Sequence, residues 1–413
     1  MNPDWPPLDY SGWRETCAAL HLYAQVAGKY RLAHTPWLNH SWHATFYVTP
    51  RGLATSPIPD GPGLEILFDL HDHALRGTAG DGRTASFPLG PTTVAAFHAR
   101  FVDLVAELGG TPEFDGAPNE VPVPVPFRED HRDRPWDRDA VARFHRALRS
   151  VDRVFGAFRS GFLGKSSPPH LFWGSFDLAV TRFSGRRAPP HPGGIPALPD
   201  DVAREAYDRE VSSAGFWPGG NGIDYPAFYA YAYPAPPGFR AAPVRPEAAF
   251  WHEDLSEFVL PYDAVRQAAD PDAALLAFLD STYDAAADLG HWDRATLDCA
   301  QGRPGQVRRP SPATPAPVEG EVEREDGPTK GRYRLAVEGV EAELTYSRLG
   351  PRQIILDHTE VPSALRGRKV GERLVQRAVE DARRDNATLV PLCPFAKAQI
   401  VRHPEWQDVL SRR

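Results

Sequence analysis

Hydrophobic and polar positions cut the chain into stretches that read as secondary structure. Residues 13–27, 92–108, 139–162, 200–211 and 272–287 read as helices. Residues 42–49, 64–69 and 83–88 read as strands, with further strands expected near 170–182 and 227–233. That mixture predicts an α+β region. Beyond residue 329 the pattern sharpens. Tyr333, Leu335 and Val337 alternate with Arg332, Arg334 and Ala336, Glu338-Gly339 offers a turn, and Val340, Ala342, Leu344 and Tyr346 form a second alternating run. Gly350-Pro351 breaks the chain before a third strand over 353–361. Val370, Leu374, Val375, Ala378, Val379 and Ala382 fall at helical spacing, a fourth strand covers 387–393, and a short helix ends near His403-Pro404. The predicted order is β-β-β-α-β-α.

Composition locates the boundary between the two parts. From about 301 to 328 the chain holds almost no large apolar residue and runs through Pro310, Pro312, Pro315 and Pro317, the signature of a semi-rigid linker. Two domains are therefore expected, 1–300 and 329–413, which suits 413 residues. Residues 329–413 carry 16 Lys/Arg against 11 Asp/Glu within a total charge of −8, so the larger part is acidic. Neither nucleic acid nor a membrane is an expected partner. No 18-residue apolar window exists, and Met1 to Pro7 shows no basic and apolar leader pattern. Three scattered cysteines, Cys17, Cys299 and Cys393, form neither a disulfide framework nor a zinc motif, which points to a reducing cytoplasm. Of the 46 basic residues 41 are arginine, as expected of a GC-rich coding sequence.

The C-terminal stretch carries ordered motifs: His358-Thr359-Glu360-Val361, Leu365-Arg366-Gly367-Arg368-Lys369-Val370-Gly371, Val390-Pro391-Leu392-Cys393-Pro394-Phe395, and Arg402-His403-Pro404-Glu405-Trp406. Over residues 331–410 these resemble the GNAT N-acetyltransferase superfamily, in particular its small YjdJ-type members. The resemblance implies a mixed-sheet α/β/α domain that binds acetyl-CoA as co-substrate. It places the pyrophosphate on Arg366, Gly367, Arg368, Lys369, Val370 and Gly371, where unpaired N–H groups at a helix start attract phosphate. It pairs the pantetheine arm with the strand around Asp357, His358 and Thr359, and it sets the thioester beside Cys393. Cys393 is then a buried strand residue, an acyl-relay nucleophile or a neighbour of the thioester. His358 is a candidate base, or a strand histidine bonded to a backbone carbonyl. One position departs from the superfamily loop: Lys369 stands where glycine is usual, and glycine there tolerates positive φ and lets backbone approach phosphate.

Residues 1–300 resemble a bacterial family known only as a domain of unknown function. The resemblance rests on 32–43, on Phe172-Trp173-Gly174-Ser175-Phe176-Asp177-Leu178, on 185–194 and on Gly215-Phe216-Trp217-Pro218-Gly219-Gly220. Its chemistry is read from residues alone. His71 and His73 would share one face of a strand and His40 and His43 would not; with no His-Glu-x-x-His motif, no metal site is expected. Asp177, among Phe172, Trp173 and Phe176, is read as paired with Arg182, Arg186 or Arg187, the alternative being exposure in a cleft. The Pro-Gly-Gly loops at 192–194 and 218–220 are pocket walls or tight turns. Together these features describe an acetyl-CoA-dependent N-acetyltransferase for an unknown amine, small molecule or protein, whose large domain recruits the acceptor. The alternative is a non-catalytic ligand-binding or interaction protein with a degenerate GNAT module.

Overall fold

The structure is a computed structural model of the chain and describes residues 3–195, 198–220, 222–307, 320–337, 339–362, 365 and 369–411. It forms two compact units, Met1–Arg309 and Pro310–Arg413. The proline run at 310–317 lies outside the described residues.

The N-terminal unit is α+β. Its first helix, α1 (Tyr10–His34), runs well past the expected 13–27. Leu20, Tyr23, Ala24, Val26, Ala27 and Tyr30 are all fully buried, so α1 is a core helix with hardly any polar stripe to mark its limits. Strands β1 (Tyr47–Val48), β2 (Gly52–Ala54), β3 (Leu64–Asp69), β4 (Ala74–Ala79) and β5 (Thr84–Pro88) make an antiparallel meander. The expected strand over 42–49 shrinks to β1, because a tight 3₁₀ turn at Asn39–Ser41 precedes it. Helices α2 (Val94–Glu107) and α3 (Arg138–Ser160) begin where Thr93 and Asp137 accept hydrogen bonds from Ala96 and Ala140, as good N-caps do.

A second antiparallel sheet contains β6 (His170–Phe172), β7 (Asp177–Arg187), β8 (Arg209–Trp217), β9 (Ala227–Tyr233), β10 (Phe250–His252) and β11 (Glu257–Pro261), in the order β10-β11-β9-β8-β7-β6. Between β7 and β8 lies α4 (Asp200–Ala206). The helix expected over 200–211 therefore stops early, and Val211 to Ser213 belong to a central strand that pairs with both β7 and β9. Helices α5 (Tyr262–Arg266), α6 (Pro271–Leu289) and α7 (Arg294–Leu297) follow. The sheet has two different faces. Leu178, Val180, Phe216, Phe228 and Phe258 join the main core, and α6 packs on β8 and β9. The other face carries Asp177, Ala179, Thr181, Ser213, Gly215, Tyr229 and Tyr231.

The C-terminal unit holds β12 (Glu323–Asp326), β13 (Lys330–Val337), β14 (Val340–Arg348), β15 (Gln353–Glu360), α8 (Val370–Arg384), β16 (Thr388–Pro391) and α9 (Pro394–Arg402). The sheet runs β12-β13-β14-β15-β16 and is antiparallel except for the parallel pair β15–β16. Tyr333, Leu335, Leu344, Tyr346, Ile354 and Leu356 pack with Leu374, Val375, Ala378 and Val379 of α8. Strand β12 lies within the stretch expected to be linker. Buried Val322 anchors it, and Arg324 reaches Asp381 and Asp385 of α8.

Candidate functional site

In the C-terminal unit two strands part. β15 and β16 pair from Gln353↔Thr388 to Leu356↔Pro391, and the Leu392 and Cys393 N–H groups then both donate to the Leu356 carbonyl, at 3.1 and 2.9 Å. Beyond Leu356, β15 continues against β14 alone. Tyr346 faces Leu356 and Thr345 faces His358, so Asp357 is the extra residue of a β-bulge. One edge of the strand over 357–360 thus lacks a β16 partner. Such an edge accepts another extended chain.

The bulge and the pleat sort the candidate residues. Thr359 lies opposite fully buried Leu344, on the helix-covered face, and its Oγ1 receives the Cys393 thiol at 3.4 Å. His358 lies opposite Thr345 and is exposed on the other face. The structure therefore joins Cys393 to Thr359 and not to His358. Exposed Asp357 accepts from the Ser347 hydroxyl at 2.6 Å. Cys393 is the N-cap of α9. Burial pushes its thiol up, but the Thr359 hydroxyl and the Ala396 and Phe395 N–H groups outweigh that and hold it below its ordinary value.

Arg366, Gly367 and Arg368 lie outside the described residues. Lys369 takes the left-handed conformation that its missing glycine would favour, φ 57° and ψ 15°, with its side chain exposed. Val370 anchors the first turn in the core. A Cβ on Gly371 would stand 2.7 Å from the Phe395 ring and 3.3 Å from Val361, so this glycine is required by packing against the start of α9.

A second site gathers around Asp177, for which the sequence offers a cleft only as the alternative. A cavity of about 480 Å³ lies against the outer face of β7, β8 and β9, roofed by α4 and the Asn39–Ser41 turn. Trp37, Trp42, Trp173, Tyr207, Tyr229 and Tyr231 supply rings, and Asp115, Glu120 and Asp177 its carboxyls. Asp177 is 3 % exposed and accepts from the Ser175 and Tyr229 hydroxyls, so it is paired with none of Arg182, Arg186 and Arg187. Burial pushes its carboxyl up against those bonds. Burial, then the charge of Asp177, pushes Glu120 up to about 7. Glu257 is raised by the same two causes to about 8, and its Oε2 is buried without a partner. Tyr207 and Tyr231 share a hydrogen bond at 2.8 Å.

Two glycines make this arrangement possible. A Cβ on Gly215 would clash with Cζ and the hydroxyl oxygen of Tyr229, and one on Gly174 would meet the Glu120 carboxyl. Lys29 lines the cavity but is held by Asp115 at 2.6 Å.

Residues 5–299 match DUF5996, described as a family of unknown function. The chain belongs to the DUF5996 family. Residues 332–409 match the GCN5-related N-acetyl-transferase family, so the C-terminal unit is a GNAT-type acetyltransferase domain. An NMR structure of a Staphylococcus aureus protein described as GCN5-like is 32% identical, over 22% of this chain and 90% of that one, with a TM-score of 0.19. No curated protein matches the chain.

Within the DUF5996 domain, α1 holds the cavity's loops in place. Gln25 exchanges hydrogen bonds with the Asn119 backbone, 2.8 Å each way, which fixes Glu120 next to it at a φ of 55°. His21 Nε2 lies 2.9 and 3.0 Å from the Trp173 and Gly174 carbonyls, and burial depresses it to about 4, so its neutral ring stays a donor there. His40 Nε2 lies buried in the cavity wall without a partner, and burial holds that ring near 4 as well.

The other sequence candidates are structural. His71 and His73 lie in the β3–β4 turn and not on a strand, and His73 Nδ1 receives the Trp136 N–H at 3.1 Å. Among the described residues no group of three or more His, Cys, Asp or Glu is arranged to hold a metal ion. Nor is any described helix long and apolar enough to cross a membrane. Gly193, Gly194, Gly219 and Gly220 all take positive φ; the 192–194 loop is irregular and leads into Ile195 and Leu198 of the cavity wall, and the 218–220 loop is a bend closed by Gly220 and Ile223.

Proposed function

We propose that this protein moves an acetyl group from acetyl-CoA to an amine, the GNAT domain binding the thioester and the DUF5996 domain recruiting the acceptor. The observation that carries the reading is the parting of β15 from β16 after Leu356. The edge that β16 leaves at Asp357, His358 and Thr359, met at the Thr359 backbone by the Cys393 sulfur, suits the amide-bearing pantetheine arm, which would pair there as a strand does. The start of α8 suits the pyrophosphate. Lys369 adds a positive charge beside the first-turn N–H groups of Val370 and Gly371, and Arg366, Gly367 and Arg368 precede them in sequence. Acetyl-CoA supplies an activated acyl carbon, so the chain's tasks are to orient, exclude water and move protons.

The acceptor nitrogen must be neutral to form its C–N bond. As that bond forms and the C–S bond breaks, the amine gives up one proton and the sulfur leaves as a thiol with one. Cys393 stands where the strands part, hydrogen-bonded to Thr359, and we assign it the proton exchange with the departing sulfur. His358 faces away from it and serves the backbone edge alone.

Calorimetry of the full chain with acetyl-CoA tests the reading, together with thiol release in the presence of primary amines. Binding with turnover that falls at least tenfold in Cys393→Ala, with affinity kept, is the expected result. A clean absence of binding would overturn it and leave a degenerate GNAT module, for which Lys369 in place of glycine would be the reason.

A further inference from the structure

We propose that the aromatic cavity of the DUF5996 domain binds a small organic cation, an amine in its ammonium form on an aromatic or short alkyl body. This names the class of acceptor and rests on the proposed function only for the fate of the bound amine. The volume, about 480 Å³, lies in the range of small-molecule sites. Tryptophan and tyrosine faces attract cations, most strongly where water is excluded.

The charges point the same way. Among the described lining residues the carboxyls are Asp115, Glu120 and Asp177, and the one ammonium, Lys29, is already spent on Asp115. No arginine is among them. Lys165 is not among the lining residues and lies over the Trp42 and Phe183 rings, and His40 beside it is kept neutral by burial first and that lysine second. Asp177 receives only the two uncharged hydroxyls of Ser175 and Tyr229. Glu120 receives no hydrogen bond from any described side chain, although Gln25 and Gly174 place its carboxyl against the cavity. A half-buried carboxyl held beside a second acid costs free energy that an ammonium group would recover. A neutral polyol would satisfy the hydrogen bonds without relieving the repulsion among the acids. An anion would worsen it.

Tyramine, its neutral isostere tyrosol and the anion 4-hydroxyphenylacetate, titrated into the full chain without acetyl-CoA, separate these cases. Binding is read by calorimetry and by tryptophan fluorescence. Tyramine is expected to bind about tenfold or more tightly than tyrosol, the value of one cation–aromatic and carboxylate site. Glu120→Gln should weaken tyramine at least fivefold and leave tyrosol within twofold, and Asp177→Asn should do the same if its melting curve shows a folded domain. Equal affinity for tyramine and tyrosol, preference for the anion, no binding by any of the three at millimolar concentration, or an unaltered Glu120→Gln variant would each overturn the proposal. Failure of acetyl-CoA binding would leave these titrations untouched, so the two readings fail separately.

Discussion

Replacing Glu120 by glutamine should stabilise the DUF5996 domain above neutral pH and leave it unchanged in acid. The carboxyl would titrate at 4.5 in the unfolded chain, but burial and Asp177 raise it to about 7 in the folded one. The folded domain therefore holds this proton more tightly. Its stability is unpenalised below pH 4.5, falls as the pH rises toward 7, and is then constant. At about 1.4 kcal/mol per pH unit that gap amounts to about 3 kcal/mol, an upper figure because water at the cavity mouth screens the charge. Glutamine keeps the shape and carries no charge, so the two proteins should diverge by about 1–3 kcal/mol between pH 5 and 8. For a domain of this size that is several degrees in melting temperature. All tryptophans except Trp406 lie in the N-terminal unit, so guanidinium unfolding followed by tryptophan fluorescence reports on the right domain. Curves that stay parallel from pH 4.5 to 8.5, or a glutamine variant less stable at pH 8, would refute the reasoning. A residue kept at a cost to stability and repaid only by a ligand is what a binding site predicts.

Gly215→Ala should destabilise the domain by about 1–3 kcal/mol, because its methyl group would displace the Tyr229 ring and break that hydroxyl from Asp177; an unchanged denaturation midpoint would count against the geometry. Lys369→Gly should raise the melting temperature of the GNAT domain, since a left-handed non-glycine residue costs about 1–2 kcal/mol and glycine returns only part of that as chain entropy. Its acetyl-CoA affinity, measured by calorimetry, should fall with the loss of the lysine charge beside the first-turn N–H groups; an unchanged or improved affinity would show backbone approach outweighing that charge. Gly371→Ala should lower the stability of the same domain by driving a methyl group into Phe395, and Phe395→Ala in the same chain should recover most of the loss.

What was legible in sequence was what local chemistry decides. Helices α2, α3 and α6 start where Thr93, Asp137 and Asp270 cap them, and Pro271 sits at the first turn of α6. The strands of the C-terminal hairpin alternate because one face is buried under α8. What failed was decided by distant partners. β12 has charged residues throughout, and it is a strand because Arg324 meets acids 57 and 61 positions away. The end of α4 is set by the pairing of β8 with β7 and β9, which pulls Arg209 onward into extended backbone. The join of Tyr229 to Asp177 spans 52 residues and depends on register. Glu120 sits in a loop at positive φ with no periodicity to mark it.

The arginines make the cavity's acids unusual. This chain has 41 of them, and they pair readily with carboxylates wherever the fold allows. Fully buried Asp69 is bound by Arg51 and Arg76, and fully buried Asp381 by Arg324, Arg377 and Arg384. Burial pushes Asp69 up, but its hydrogen bonds and ion pairs win and bring it down to about 2, as such partners should. Around the cavity the outcome reverses. Asp177, Glu120 and Glu257 are all raised, with burial as the largest cause in each, and neither Glu120 nor Glu257 gains an arginine. Arg182, five residues along β7 from Asp177, instead lies over the rings of Phe158 and Tyr283. In a fold this rich in guanidinium groups, keeping them away from Asp177 and Glu120 leaves the site short of positive charge. A bound ammonium group would bring that charge and lower both together.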